Sequence, residues 1–268
     1  MKTMDGLVFN QAEFLALMSA VNASGLIGVD SNAIVPDDKV THQKMVLSGL
    51  EQLKERGIVE EKDGVMLFPP DLVGMAAAMS EPQLVVQVTR EEPEVGQRLF
   101  MMYQAFQFIV EFTLPAEGQF RMARIPSTPA MLQRIHFLLD VGDNDTQKVS
   151  FTVDQNAFFQ SKAAIDEGKD ELALSTLQNN GASAKEASLL VTVMKHLRLI
   201  GTITWLRTEN GRVLDGRNLL ILKTAGSCWA LYQQKAGQSQ LMVETVDRQA
   251  FLTIAYQLQV NLIQANKK

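Results

Sequence analysis

The residue types that most often bind metals or act as nucleophiles are few and scattered in this sequence. His42, His136 and His196 stand far apart, and none has a second His or Cys three or four residues away, the spacing that would place two ligands on one helix face. The single cysteine, Cys228, lies in the apolar stretch SCWALY, where a small buried side chain is the simpler interpretation and a nucleophile the alternative. We therefore predict no metal site, no cofactor and no catalytic residue.

Sequence motifs for nucleotide and acyl-transfer chemistry are also missing. The chain has no G-x-S-x-G elbow, no G-x-x-x-x-G-K-[ST] phosphate loop and no G-x-G-x-x-G after a strand. Carboxylates are adjacent at Glu60–Glu61 and at Glu91–Glu92, but neighbours in sequence need not converge in a cleft. We predict that the protein is not an enzyme. An enzyme with an unfamiliar site is the alternative, and it would require titratable groups that converge in a deep pocket.

The composition predicts a cytoplasmic protein that binds neither nucleic acid nor membranes. The 268 residues are 46% hydrophobic, enough for one large core or two smaller ones, and the net charge is −5. Apart from the final Lys267 and Lys268 there is no run of cations, so the field of the chain repels phosphate and anionic lipid. The segment MKTMDGLVFN lacks the apolar stretch of a signal peptide, and no apolar run reaches the roughly 20 residues of a membrane span.

The first half of the chain reads as helices followed by a meander of strands. Apolar residues at helical spacing predict helices over 10–21 and 38–56, and Lys62-Asp63-Gly64 predicts a tight turn between two short strands. Gly57 lies where a left-handed helix cap is wanted, and a short helix is expected from Pro69 to Met79. The remaining elements are strands at 84–90, 98–103, 106–113 and 119–125 and a helix at 127–139.

The second half repeats this plan. A strand at 149–153 leads into helices from Asp154 to about Asn179, and the capping box Ser183-Ala-Lys-Glu186 starts a helix through Leu197. The remaining elements are strands at 201–207, 217–224, 228–234 and 240–246 and a final helix from Asp247 to about Gln264.

The repeated order predicts an α+β protein with a pseudo-two-fold architecture. The two halves, residues 1–145 and 146–268, would each contribute an antiparallel meander to one central sheet, with helices packed on one face and at the ends. The stretch VGDNDT at 141–146 is the expected seam. We expect the two halves to form one compact unit.

Residues 38–68 allow a second functional interpretation, because a helix, a turn and a small hairpin have the proportions of a winged helix. The charged residues of this helix and its start are four cations and four anions: Lys39, Lys44, Lys54, Arg56, Asp37, Asp38, Glu51 and Glu55. This balance gives little attraction for phosphate. A helix–hairpin packing unit is the simpler interpretation, and a winged-helix regulator or an adaptor of another bacterial assembly is the alternative.

Three stretches resemble the EspG family, the cytoplasmic chaperones of type VII (ESX) secretion. They are NQAEFLALMSAV, LEQLKERGIVEEKDGVMLFPPDLVGMAAAMSEPQLVVQVTR and QLMVETVDRQAFLTIAYQLQ, and with their order the resemblance covers nearly the whole chain. It implies a quasi-two-fold fold around a central sheet and no active site. It also implies a protein partner, the helical tip of a PE-PPE-type client dimer that is kept soluble until export. The oligomeric state stays open, with a monomer among the options.

The stretch LFMMYQAFQFIVEF at 99–112 is apolar on both faces of a predicted strand. The even-numbered apolar residues are Phe100, Met102, Phe106, Phe108, Val110 and Phe112; the odd-numbered ones are Leu99, Met101, Tyr103 and Ile109. If the even-numbered residues pack under the helices, the odd-numbered ones form an exposed face that could hold a helical hairpin.

The resemblance further implies a client-facing loop, TREEPEVGQR at 89–98, whose charges would orient a client. An ordinary solvated loop is the alternative. In the second half Trp229 is a candidate hot spot because of its large ring, and burial under the last helix is the alternative. The candidate partner-binding residues are Glu91, Glu92, Arg98, Leu99, Met101, Tyr103, Ile109 and Trp229.

Overall fold

The computed structural model describes residues 6–23, 25–29, 34–36, 38–115, 117–142, 148–235 and 237–264. In these ranges the helices are α1 (Gln11–Ala20), α2 (Lys39–Glu55), α3 (Pro70–Ser80), α4 (Thr128–Leu138), α5 (Gln155–Asp166), α6 (Asp170–Asn179), α7 (Ala184–Lys195) and α8 (Arg248–Gln264). The strands are β1 (Leu7–Asn10), β2 (Glu60–Lys62), β3 (Val65–Leu67), β4 (Leu84–Glu92), β5 (Gly96–Ala105), β6 (Phe108–Thr113), β7 (Gln119–Ile125), β8 (Ser150–Asp154), β9 (Leu199–Glu209), β10 (Arg212–Lys223), β11 (Cys228–Tyr232) and β12 (Gln240–Thr245).

The mixed α+β class is confirmed, and the predicted elements form with shifts of a few residues. Strand β1 was not predicted, because its four residues run directly into the cap of α1 at Asn10. The predicted capping box of α7 is present: Ser183 Oγ accepts from the backbone N–H of Glu186, and the Glu186 carboxylate accepts from Ser183 N–H at 2.8 Å. The predicted turn of the β2–β3 hairpin has positive φ at Asp63 and Gly64.

Ten strands form one sheet in the order β1-β7-β6-β5-β4-β9-β10-β11-β12-β8, while β2 and β3 form a separate hairpin. Every strand pair whose register is described is antiparallel. The short strands β1 and β8 are the two edges of the sheet.

The first compact unit comprises Met1–Gln87, Phe100–Met131 and Leu206–Asp215. Its core lies between helices α1–α3 and strands that include β1, β5, β6 and β7. The ring of Phe14 stacks on that of Phe120 with centroids 4.6 Å apart, and Phe112 lies 5.5 Å from Phe14. Aromatic side chains therefore join α1 to the sheet at the centre of this core.

The second compact unit comprises Val88–Leu99, Leu132–Trp205 and Gly216–Lys268. Helices α5, α6 and α7 pack on the face of β10–β12 that carries Leu222, Trp229 and Val243. The opposite face, with Ile221, is also buried. Leu139, which follows α4, lies against that face, because a Cβ at Gly201 would be 2.6 Å from Leu139 Cδ2 and 3.4 Å from Ile221 Cβ.

The sequence predicts helices on one face of the sheet and at its ends. In the second unit both faces of the sheet are covered, because both are apolar. The predicted boundary between residues 145 and 146 lies outside the described residues. The two pseudo-repeat halves stay a prediction.

Candidate protein-binding surface

A hairpin of the second unit carries four of the predicted partner-binding residues: Glu91, Glu92, Arg98 and Leu99. Strand β4 continues to Glu92, the chain turns at residues 93–95, and β5 begins at Gly96. Gly96 has a φ of 81°, which glycine adopts without steric cost. Segment 89–98 is therefore a continuous β-hairpin with a short turn instead of the long loop that the resemblance implies.

The tip of this hairpin presents apolar side chains to solvent. Leu99 is 43% exposed and Val95 is 52% exposed. Val95 was not among the predicted residues, although its place between Glu94 and Gly96 at the centre of the connection could have indicated it. Exposed apolar side chains at a hairpin tip can anchor a partner.

The charged residues of the hairpin differ in whether they already have a partner within the hairpin. Glu91 and Arg98 are exposed. The Nε–H of Arg90 donates to Glu92 Oε1 at 2.8 Å, and this hydrogen bond lowers the pKa of the Glu92 carboxyl. Arg90 also donates to the carbonyl oxygen of Leu138 at 2.6 Å. The charge of Glu92 is therefore already balanced within the chain.

The prediction of an exposed face at residues 99–112 is wrong for Met101, Tyr103 and Ile109. These side chains are buried, with 2%, 0% and 6% of their surface exposed. The Tyr103 hydroxyl donates to the carbonyl oxygen of Ile27 at 2.9 Å. Met101 fills the space beside Gly28: a Cβ added to Gly28 would be 2.6 Å from Met101 Cε. These side chains belong to the first unit's own packing.

Odd and even residue numbers do not assign the two faces of this stretch correctly, because β5 and β6 are separate strands joined by a two-residue turn. Ala105 pairs with Phe108, so Tyr103 faces Val110 across the strands and Met101 faces Phe112. Phe106 lies in the turn, with a φ of 52° and 80% exposure. Since Met102 and Ile109 on the other face are also buried, the paired parts of these two strands, Met101–Ala105 and Phe108–Phe112, have no open side.

Trp229 is also buried, at 3% exposure. Its indole N–H donates to Ser227 Oγ at 2.9 Å, and its ring lies in the core formed with α5–α7, not under α8. A residue in this position contributes to the stability of the second unit, and a partner could reach it only if the core opened.

An open strip of sheet does exist in the second unit, on strand β9. Its residues alternate between a buried face, with Gly201 and Ile203, and a partly exposed face, with Thr202 and Thr204. The Thr204 hydroxyl donates to Asn218 Oδ1 of β10 at 2.8 Å. The open strip therefore presents hydroxyl and amide groups beside the partly exposed Ile200, whereas the open face predicted on residues 99–112 was apolar.

Thr202 and Asn218 belong to the lining of a cleft of about 330 Å³. Helix α5 contributes Phe159, which is 53% exposed, and Gln155, which accepts a hydrogen bond from Gln233 Nε2 at 2.7 Å. Apolar strand residues also line the cleft: Leu220, Leu231 and Leu241. The cleft can accept an apolar side chain next to hydrogen-bonding groups.

A second cleft, of about 270 Å³, lies between the hairpin and helices α5 and α7. Glu91 and Pro93 line it from the hairpin, and Ile200 is part of its apolar lining. Lys162 of α5 lies one helical turn after Phe159 and forms an ion pair with Asp166 at 2.5 Å. Helix α5 and strand β9 therefore contribute to both clefts, which we treat as one candidate site.

We call the two clefts, together with the exposed Val95 and Leu99 of the hairpin that lines the second cleft, the open surface, and we define it by Val95, Leu99, Phe159, Thr202 and Asn218. It combines three exposed apolar side chains with hydroxyl and amide groups and a charged rim. This mixture is typical of surfaces that bind other proteins.

The described residues offer little for catalysis. Burial raises the pKa of the Cys228 thiol to about 12, so a reactive thiolate is scarce near neutral pH. No group of three or more His, Cys, Asp or Glu side chains among the described residues is arranged to hold a metal ion. No helix among them is long and apolar enough to span a membrane.

The helix–hairpin of residues 38–68 forms as predicted, with α2 followed by β2 and β3. Two of its four cations are already paired with carboxylates of the chain: Lys54 with Glu61, and Arg56 with Glu13. The exposed hairpin adds Glu60 and Asp63 to its surface. This distribution of charge gives the helix–hairpin no strong attraction for phosphate.

Comparison with known proteins finds similarity at the level of the fold. No model of a protein family matches the chain, and no characterised protein matches it by sequence. The fold is nevertheless similar to that of a solved chaperone structure, with a TM-score of 0.70 over 96% of both chains at 12% sequence identity. The fold class implied by the EspG resemblance is thereby confirmed.

This similar structure is one of several that match, and it is the Mycobacterium tuberculosis type VII secretion system chaperone EspG5 in complex with a PE25–PPE41 dimer. At 12% identity this likeness establishes the fold of the present chain.

Proposed function

We propose that the protein is a chaperone that binds a helical secretion substrate of a type VII system and keeps its apolar tip soluble before export. The observation that carries this proposal is the EspG-like fold with an open, partly apolar surface in its second unit. Binding would take place in the cytoplasm, and it requires no catalytic group.

The open surface suits the end of a helical hairpin. Phe159 and Leu99 offer apolar contact area, and the two clefts can each accept a side chain. The hydroxyl and amide groups of Thr202 and Asn218 can hydrogen-bond the carbonyl groups that remain unpaired at a helix end. Glu91 and Arg98 at the rim would fix orientation more than affinity.

The revised binding set differs from the one that the sequence predicts. It keeps Glu91, Arg98 and Leu99 and adds Val95, Phe159, Thr202 and Asn218. It omits the buried side chains and Glu92, whose charge is paired.

The test is co-expression of the chain with a helical-hairpin secretion substrate encoded by a neighbouring gene, followed by affinity purification and mass determination. We expect a soluble complex with one chaperone per client. Leu99→Asp and Phe159→Asp should each weaken binding by about 100-fold or more, because burying an unpaired carboxylate costs at least about 3 kcal/mol.

Leu172→Asp is the matched control, because Leu172 is 53% exposed on α6 and lies outside the open surface. It should bind the client like the unchanged protein. Equal binding by all three variants would refute the open surface as the site, and failure of every neighbouring helical substrate to form a complex would refute the chaperone function.

A further inference from the structure

Helix α8 has an outward face that is unusually poor in charge. Its residues 249–264, QAFLTIAYQLQVNLIQ, contain no Asp, Glu, Lys or Arg. Yet Tyr256 is 54% exposed and Ile263 is 45% exposed on this helix. A helix that only faces water normally carries charges on that side, whereas depletion of charge around an aromatic residue is typical of the centre of an interface.

The exposed stripe of α8 is also symmetric about its midpoint. Tyr256 is the central residue of Arg248–Gln264, with Leu252 four residues before it and Val260 four residues after it. Both flanking side chains are partly exposed. A second α8 packed antiparallel across a two-fold axis at Tyr256 would place Leu252 against Val260 of the partner subunit.

Helix α4 widens this stripe. Arg248 donates to Gln133 Oε1 at 2.8 Å, and the rings of His136 and Phe251 are 6.0 Å apart. From the first pair to the second, the residue number rises by three on α4 and by three on α8. The two helices therefore run side by side in the same direction. The next pair in this register is Phe137 beside Leu252, and Phe137 is 71% exposed.

The charges at the helix ends select the antiparallel arrangement. Arg248 is the one charged residue of α8 and stands at its first turn. In an antiparallel pair it lies near the C-terminal carbonyl groups of the partner's helix, where a cation is favoured. A parallel pair would bring the two Arg248 side chains together, where they would repel each other.

We propose that the protein forms a two-fold symmetric homodimer through α8, with Tyr256 on the axis and Phe137 at the flanks. A helix of 17 residues is about 25 Å long, so such a contact buries on the order of 1,000 Å² in total. This area is at the low end for specific interfaces, and the dimer is therefore in equilibrium with monomer at micromolar concentration.

The test is sedimentation velocity of the purified full chain from about 1 to about 100 μM, a range that brackets micromolar dissociation constants. We expect the mass to rise from monomer to dimer. Leu252→Glu and Val260→Lys should each raise the dimer dissociation constant by about tenfold or more. The double variant should return towards the original value, because each Glu then faces a Lys of the partner.

Recovery of dimerisation in the double variant has a single structural explanation. Residues 252 and 260 are eight apart on one helix and about 12 Å distant, too far for an ion pair within one chain. Gln257→Glu is the control, since Gln257 is exposed on α8 beside the stripe, and it should leave the dimer unchanged. Circular dichroism verifies that each variant is folded. A monomer across the whole range, or a double variant no better than the single ones, would overturn the proposal.

Discussion

The buried carboxylate of Glu13 links α1 to the end of α2. It accepts from Arg56 Nη1 at 2.7 Å and from the backbone N–H of Asn10 at 2.9 Å, and its side chain is 3% exposed. Arg56 also donates to the carbonyl oxygen of Val8. Glu13 thus completes a capping box and balances a cation at once.

Replacing Arg56 by Met should lower the free energy of unfolding by about 2 kcal/mol, because it leaves the Glu13 carboxylate buried without a cation. The figure is below the full cost for a buried pair because Arg56 itself is 41% exposed. Urea unfolding measures the change.

Lys54→Met is the matched control, because it breaks the ion pair with Glu61 in which both side chains are well exposed. It should leave the urea midpoint of unfolding nearly unchanged, because an exposed ion pair is screened by solvent. Equal losses in the two variants would show that the burial of Glu13 contributes nothing to stability.

Single-residue features were the hardest to obtain from the sequence. The capping boxes and the Gly57 cap follow from residue type and local spacing, and Gly57 does have a positive φ. The exposure of Leu99 and the burial of Met101, two residues later on the same parity, depend on which helices cover the sheet there. No local pattern contains that information.

At the scale of elements, α1 and α2 approach so closely that one position must be glycine. A Cβ at Gly49 would be 2.0 Å from the carbonyl oxygen of Ala12. Backbone cannot move away as a flexible side chain can, so the contact between the two helices depends on this residue.

Gly49→Ala should therefore destabilise the protein by about 2 kcal/mol or more, although alanine favours helix by nearly 1 kcal/mol over glycine. Ser48→Ala on the same helix is exposed and should change stability by less than about 0.5 kcal/mol. Thermal unfolding distinguishes the two. A stabilised Gly49→Ala protein would contradict the close contact.

The sequence predicted strand existence better than strand faces. Alternation located the strands of both meanders, but the turn at Phe106 changed which residues of β5 and β6 share a side. The open strip had a readable signal in LIGTITWL, where Thr202 and Thr204 alternate with Ile203 and Trp205. Polar alternation on a central strand indicates an uncovered face more directly than apolar residues do.

At the scale of the whole molecule, the two proposed contacts use opposite sides of the sheet in the second unit. Helix α5, with Phe159, packs on the face of Trp229, whereas α4 and its neighbour α8 lie on the side of Ile221. Dimerisation through α8 therefore leaves the open surface accessible.

We expect the client complex to contain two chaperones and two clients at high concentration. The Leu252→Glu variant should give one of each, with unchanged client affinity. Native mass spectrometry measures both compositions. A complex of two chaperones with a single client would show that the two contacts interfere with each other.

The edges of the ten-stranded sheet have a consequence for the proposed chaperone function. Strand β1 has four residues and β8 has five, so each rim offers few unpaired backbone groups to another chain. Long, flat rims would template fibril-like stacking between molecules. Because its rims are short, a chaperone with this fold would hold an aggregation-prone client without becoming a seed for its precipitation.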